Sequence, residues 1–538
     1  MFHPTRTTNT FLWTGLLLSL GAGCATDVAP TAETSFEGAA GPLNTQTIES
    51  QAQATAACNQ DPRVWSGLVP LQICVGARLF FDETFGGNGR TCGSCHPAGN
   101  NFTIDQPFLA SLDATDPLFV NEAVPALADL ETTALRSHEL IRENVDDFED
   151  NENKFVLRSV PHLFGLSTTL ERDPADGTSS AFTQRTGWSG DGVDGGALRD
   201  FANGAIKQHF PTNLERVPGR DFRLATASEL DQLAAFQLAL GRTNDLDLTR
   251  VVLSDPFAEQ GRKDFLDPQV GRCNECHRDA GGRSVQTGRN TNFANGIEVF
   301  APINLPRPTF DGVELHDGGF GGQGLDTPNV IAGLFEEPNA FGDNTFNTPS
   351  LIEVADTSPF FHHNGISDPE PTRGLAGAVA FYGSDAFNDS PAGQELVARF
   401  GSRVTLPGLA IINIQQFLRV LNVAFNLDLG KQRLAAAELL NVQYWNYRED
   451  IQRGLIELAR REVQDARKLL IANDAPPLHT DKHAAIIALD DTLGAALAAT
   501  NPADRLAQVR SALSQTAALR PAFGTNLNYN LGKGTLMF

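Results

Sequence analysis

Methionine is nearly absent from this chain of 538 residues: there are two, Met1 and Met537. Tyrosine and tryptophan are almost as scarce, at four each, while phenylalanine reaches 35. Aromatic volume is thus supplied by the ring that oxidants attack least, and thioether, phenol and indole groups are few. Two origins fit that bias, protection against self-inflicted oxidation and plain compositional drift. Basic side chains are outnumbered too, 41 Lys and Arg against 65 Asp and Glu, for a net charge of −24. No block of clustered Lys and Arg is present, which disfavours nucleic acid, because phosphate binding needs such clusters to release counterions. A basic partner docks more easily. Long apolar runs are missing from the body of the chain, which argues against a multi-span membrane protein. The 41% hydrophobic and 20% charged residues are instead the balance of a folded globular chain, long enough for two or more domains.

At the start, Arg6 precedes the apolar run Phe11 to Leu20, too short to cross a bilayer but suited to the hydrophobic region of a secretory signal. Gly21, Ala22 and Gly23 follow, then Cys24. The pattern predicts a signal peptide over residues 1–23 and export, to the periplasm of a bacterium or attached to its outer membrane, with Cys24 a candidate lipid anchor. Ordinary cleavage nearby is the alternative. Residues 24–74 read as a tether and lead-in, and Ala25 to Ala57, without sustained apolar periodicity, is expected to be poorly ordered.

Cysteine spacing carries the main argument. Beyond Cys24 there are six: Cys58, Cys74, and two pairs each followed at once by histidine, Cys92-Gly-Ser-Cys95-His96 and Cys273-Asn-Glu-Cys276-His277. C-x-x-C-H is the attachment pattern of c-type haem: two thiols add across the porphyrin vinyl groups and the next residue presents an imidazole to the iron. A zinc site or a redox dithiol is the competing reading. A zinc ribbon, however, wants its two knuckles about 15 to 20 residues apart, and these pairs lie far apart in the chain. Two copies predict two covalently bound c-type haems. Cys58 and Cys74 are expected to form a disulfide in an oxidising compartment, against the alternative of two free thiols.

The surroundings of the two motifs look duplicated. Gly76-Ala-Arg-Leu-Phe-Phe-Asp82 precedes the first and Gly261-Arg-Lys-Asp-Phe-Leu-Asp267-Pro268 the second, each reading as a helix that runs into a turn. A closing helix follows each. Thr226-Ala-Ser-Glu229 forms a capping box before Leu230, Leu233, Ala234 and Leu238, with Gly241 as a stop; Ile411, Ile414, Leu418 and Leu421 mark the second. The predicted fold is mainly α: two cytochrome c-like haem domains with long irregular loops, over residues 75–245 and 246–429. Residues 430–470 and Asp490 to Leu519 have helical patterns, so 430–538 is expected to append a helical hairpin. Within it Tyr444-Trp445-Asn446-Tyr447 is a candidate exit for electrons, or a packing cluster.

Several segments together resemble a known superfamily. Gly76-Ala-Arg-Leu-Phe-Phe-Asp82, Cys92 to His96, Phe102-Thr-Ile-Asp105, Asn347-Thr-Pro-Ser-Leu351 and Pro359-Phe-Phe-His-His-Asn-Gly365 are similar to those of dihaem bacterial cytochrome c peroxidases and their relative MauG. The likeness runs from about Val75 to Phe425. It implies that hydrogen peroxide reacts at the N-terminal haem, that the C-terminal haem handles electrons, and that a tryptophan lies between them.

The resemblance also assigns residues. The classical peroxidases ligate the C-terminal iron with methionine, which this chain nearly lacks; Tyr382, in Ala378-Val-Ala-Phe-Tyr382-Gly383, matches the tyrosine ligand of MauG. An anionic oxygen ligand favours oxidised iron and suits a centre that stores oxidising equivalents. The alternative leaves Tyr382 buried on a propionate and gives the iron to His362 or His363. Trp188 occupies the place of the bridging tryptophan, with an ordinary core role as its alternative. The family's distal acid/base is a glutamate, for which the matching segment Gly204-Ala-Ile-Lys-Gln208-His209 offers His209 as replacement and Gln208 as a hydrogen-bond donor; a histidine bonded to backbone or propionate is the other reading. His162 is nearest to the histidine that blocks the first iron in the classical enzymes, but it lies inside the following motif, which implies a pocket open at rest. The family's interdomain calcium site uses an asparagine where this chain has Gly165, so calcium is an open question. His316, like His362 and His363, reads as a loop or propionate histidine.

The expected function is a dihaem c-type peroxidase that draws electrons from a donor protein such as cytochrome c or a cupredoxin, or oxidises a protein substrate as MauG does. The alternatives are an electron-transfer cytochrome without peroxide chemistry and a dihaem oxygenase acting on an organic substrate.

Overall fold

In the computed structural model, Leu71–Asp82 forms a lead helix whose Ile73, Val75, Leu79 and Phe80 are buried, and the capped helix Ala227–Leu238 closes over it. The closing helix starts as its sequence dictates: Thr226 Oγ1 accepts from the Glu229 backbone N–H at 3.2 Å, and a Glu229 carboxylate oxygen accepts from the Thr226 N–H at 2.8 Å. Where the two helices meet there is no room for a side chain. A Cβ on Gly76 would lie 1.9 Å from the carbonyl oxygen of Gln232. The second half repeats the device. Lead helix Pro256–Leu266, capped by Asp255, meets closing helix Gly408–Leu439, and a Cβ on Gly261 would lie 1.8 Å from the carbonyl oxygen of Asn413. One turn further on, phenylalanines lock each pair: Phe80 on Phe236 at 5.2 Å and Phe265 on Phe417 at 5.3 Å. Two glycine contacts followed by two phenylalanine contacts at the same helical spacing make the duplication structural.

The structure describes residues 45–123, 132, 134–143, 156–169, 187–188, 198–282, 309–310, 313–314, 329–330, 336–337 and 348–538, the last without 367, 369–370 and 442–446. The described fold is mainly helical, with short two-stranded ladders, the first pairing Leu140–Glu143 with Val156–Ser159. The signal segment, Cys24, His316, Asn347, Tyr444 and Trp445 lie outside the described residues.

Two expectations need correction. The segment read as an unordered tether is helical from Thr45 to Asn59. It lacks an apolar stripe because it is held otherwise, by the Cys58–Cys74 disulfide and by Gln51, which donates to Ser228 Oγ at 2.8 Å and Gln232 Oε1 at 3.0 Å. The expected boundary at 429/430 falls inside the continuous helix Gly408–Leu439, so the C-terminal region is no separate appendage. That helix is long and apolar enough to cross a membrane, yet 78% of its most apolar window is buried within the fold. Its buried Arg433 pairs with Glu462 and donates to the carbonyl oxygen of Thr535 at 3.0 Å, and its buried Arg419 donates to the carbonyl oxygens of Pro476 and Leu469.

Three helices follow, Glu449–Leu470, His483–Ala498 and Pro502–Leu519, rather than one hairpin. The first buries Leu455, Ile456, Ala459, Val463, Ala466 and Leu470 along one face and carries acids in its first turn and bases in its last, matching the helix dipole. Asp490 ties the second to it, accepting from Arg460 and Arg467 at 2.8 Å each. Tyr447 precedes the Glu449 helix, and its hydroxyl accepts from Arg505 at 3.0 Å, a packing role within the extension. From there the chain returns over both halves. Gly524–Thr525 pairs with Val252–Leu253, Gly532 and Gly534 press on Ala239, and the last residue, Phe538, sits 5.0 Å from Phe102 and 5.8 Å from Phe81.

Candidate functional site

Each C-x-x-C-H turn hangs from the end of a lead helix. Thr91 and Ser94 cap the turn Cys92–Cys95, while Cys273–Glu275 is a 3-10 turn after the left-handed Arg272, which is anchored by bonds to Pro268 and Ser402. In both, the histidine backbone N–H returns to the carbonyl oxygen of the first cysteine, at 3.0 Å for His96 and 2.9 Å for His277. The rings are oriented alike. His96 Nδ1 lies 2.8 Å from the carbonyl oxygen of Phe102, and His277 Nδ1 lies 3.0 Å from that of Pro349. A carbonyl can only accept, so Nδ1 carries the proton and Nε2 keeps its lone pair. Burial holds both imidazoles neutral, each pushed down to about 4. That is the state a metal ligand needs.

The cysteines separate by chemistry. Cys58 and Cys74 are bonded to each other, whereas Cys92, Cys95, Cys273 and Cys276 form no disulfide. Burial, with Cys95 adjacent, pushes the Cys92 thiol up to about 12, and burial does the same for Cys273 and Cys276. A redox dithiol needs the opposite shift.

Beside the second turn lies a cavity of about 200 Å³, lined mainly by apolar atoms together with Cys273, Cys276, His277, His162, Trp188 and Tyr382. Tyr382 follows the helix Pro371–Phe381 and packs edge-on to Phe387 at 4.9 Å. Burial, with Cys276 and Cys273 close by, pushes its hydroxyl above the ordinary tyrosine range, so a phenolate forms there only against a cation such as ferric iron. His362 lines the same cavity; His363 does not. Trp188 stands in the cavity wall, half-buried, its indole N–H donating to the carbonyl oxygen of Ser159 at 3.2 Å and its ring 6.4 Å from that of His362. The residues therefore fit a haem held by Cys273, Cys276 and His277, with Tyr382 on the cavity wall. At the first site the matching set is Cys92, Cys95 and His96 among Phe80, Phe81 and Phe102.

The distal assignments fare differently. His209 ends the helix Leu198–His209, and its carbonyl oxygen accepts from Asn88 at 3.0 Å, fixing it to the loop ahead of Cys92. Gln208, half-buried, precedes it on the same turn. Burial, then the charges of Arg90, Arg216 and His96, pushes His209 down to about 3. At ambient pH His209 is therefore neutral, one ring nitrogen a hydrogen-bond donor and the other an acceptor. His162 holds the carbonyl oxygen of Ser350 through Nε2 at 3.3 Å and faces the second cavity. Gly165 has φ +74°, and a Cβ there would lie 2.5 Å from Ile352 Cδ1.

The buried histidines make a stability prediction. His162 is held to about 4 and His209 to about 3, chiefly by burial, against an ordinary value of 6.5. A depressed histidine stabilises the fold above the unfolded pKa and loses that contribution as pH falls through 6.5 toward 4. Each should cost about 2 kcal/mol between pH 7 and pH 5. Urea denaturation of wild type and His162→Asn at both pH values checks this. Identical losses in the two proteins would remove His162 from the account.

Sequence reasoning did not find the Phe102 and Pro349 carbonyls or the Phe538 contact, since none has a sequence signature. The two glycine contacts had one: Gly76 and Gly261 open the two similar segments. Compared with family models, curated proteins and solved structures, the chain matches none.

Proposed function

We propose that this chain is an exported dihaem c-type oxidoreductase of the cytochrome c peroxidase and MauG superfamily, with two cytochrome c-like haem domains. Cys92, Cys95 and His96 would hold the first haem, Cys273, Cys276 and His277 the second, with Tyr382 as the further ligand of the second iron. The observation that carries the reading is the duplicated frame: a glycine-crossed helix pair, a C-x-x-C-H turn and a neutral histidine held through Nδ1 by a backbone carbonyl, twice in one chain. When bound, the two haems supply one-electron chemistry and, at the first site, a position for hydrogen peroxide.

The protein residues contribute the rest. Reduction of one hydrogen peroxide to two waters takes two electrons and two protons, the electrons coming from a donor protein or a protein substrate. Trp188 stands on the wall of the cavity that Cys273, His277 and Tyr382 also line, where an oxidisable ring shortens an electron's path. Neutral His209, near the first site, offers one hydrogen-bond donor and one acceptor, and the Phe-rich walls offer few oxidisable side chains. The acidic surface favours a basic donor.

Resting ferric EPR combined with stopped-flow mixing with peroxide tests the proposal in protein matured by a host that attaches c-type haem. One high-spin and one low-spin haem, with a rapid spectral change on mixing, is expected. Two low-spin haems inert to peroxide would instead identify an electron carrier.

A further inference from the structure

We infer that Asp356, clamped by Lys468 of the C-terminal extension, is a positioning residue for His96, and so that the extension tunes the first haem. The inference rests on the haem reading above. It starts from an unfavourable turn. Asn101 and Phe102 are consecutive non-glycine residues in the left-handed region, with φ of 53° and 57°, a conformation that must be held by its surroundings. The carbonyl oxygen of this Phe102 is the acceptor for His96 Nδ1 at 2.8 Å.

The turn is held from outside the first half. Asn101 Nδ2 donates to Asp356 Oδ2 at 3.2 Å, and the other oxygen, Asp356 Oδ1, lies 2.9 Å from Lys468 Nζ. Asp356 is buried, while Lys468 reaches it from the last turn of the Glu449–Leu470 helix with about half its side chain in solvent. The same helix grips the loop a second time: Arg461 Nη1 donates to the carbonyl oxygen of Gly99 at 3.2 Å. Beside Asp356, burial and the acidic neighbours Asp356 and Glu462 push the Asp465 carboxyl well above the usual carboxylate range. The line thus runs from Lys468 through Asp356, Asn101 and Phe102 to the ring of His96. The second site has its own support, because Leu351, next to the Ser350 that follows Pro349, donates to the carbonyl oxygen of Ala280 at 3.1 Å.

A hydrogen bond to the far nitrogen of a ligating histidine raises its basicity and favours the oxidised metal. Loosening the Phe102 carbonyl should therefore favour reduction of the first haem and leave the second alone. Three variants probe the line at separate points: Asp356→Asn removes the charge, Asn101→Gly deletes the amide while permitting the left-handed backbone, and Lys468→Met acts at a half-exposed position that the fold tolerates. Spectroelectrochemical titration of each holoprotein is expected to raise the reduced-to-oxidised ratio of the first haem at fixed potential threefold to tenfold in the first two variants, tenfold being 59 mV for one electron. Lys468→Met should move it the same way by less, and the second haem should not move. A first-haem ratio within twofold of wild type in all three, or equal shifts at both haems, overturns the inference while the haem reading stands. A wild-type mass without haem at Cys92 and Cys95 overturns both.

Discussion

A chain carrying Cys92→Ala and Cys95→Ala is expected to mature with one haem where the wild type carries two, and to lose its reaction with peroxide down to the background of the protein-free solution. The reciprocal pair, Cys273→Ala and Cys276→Ala, should also leave one haem, now at the first site, and should still bind peroxide while failing to draw electrons from a donor. The difference follows from which half holds which function in the proposed reading. None of the four cysteines is in a disulfide, and burial pushes the Cys92, Cys273 and Cys276 thiols up to about 12. Intact-mass measurement and stopped-flow spectra of the two variants check both halves. Unchanged mass in either variant would sink the assignment of that motif, and peroxide reactivity surviving the first variant would transfer the reactive site to the second half.

The second large effect concerns stability. Gly76→Ala and Gly261→Ala each place a methyl group inside van der Waals distance of a backbone carbonyl, 1.9 Å and 1.8 Å away, and neither oxygen belongs to a side chain that could turn aside. The helices must separate, which removes the Phe80–Phe236 or Phe265–Phe417 contact as well. Overpacking of ordinary cores costs about 1–3 kcal/mol, and here a cost at or above the upper end is expected. Gly454→Ala is the control. It lies within the helix Glu449–Leu470, where a new Cβ meets nothing, so it should gain about 0.5–1 kcal/mol from helix propensity. Denaturant midpoints of the three variants test the contrast, and a Gly261→Ala protein as stable as Gly454→Ala would show that the contact is not tight.

Much of the frame was legible. The capping box at Thr226 to Glu229 starts the closing helix where it was expected, because the signal is local: one hydroxyl and one carboxylate satisfy backbone groups three residues apart. The lead helices before both C-x-x-C-H turns are present for the same kind of reason, as apolar residues recur at helical spacing. The Cys58–Cys74 bridge was expected from compartment chemistry and is formed. Local signals misled where a segment is held by distant partners. Thr45–Asn59 has no apolar stripe, and only its disulfide and Gln51 contacts explain a helix there. The helix Gly408–Leu439 runs through the expected 429/430 boundary because its polar positions, Arg419 and Arg433, find buried partners on the extension. At the candidate site, His209 was chosen by residue type, whereas its charge state follows from burial and from Arg90 and Arg216, which lie far from it or on another loop.

The amino-acid order alone determined the chemistry on offer: two thiol pairs each followed by an imidazole, almost no thioether, and helices placed by caps and apolar spacing. Those are properties of neighbouring residues, and neighbours are written next to each other in the chain. Only the tertiary structure decided which carbonyl orients each histidine, which oxygen each glycine must leave room for, and that a helix near the C-terminus braces a turn near residue 101. These depend on pairs separated by tens to hundreds of residues, brought within a few ångströms by the burial of apolar surface, and no local pattern encodes such a meeting.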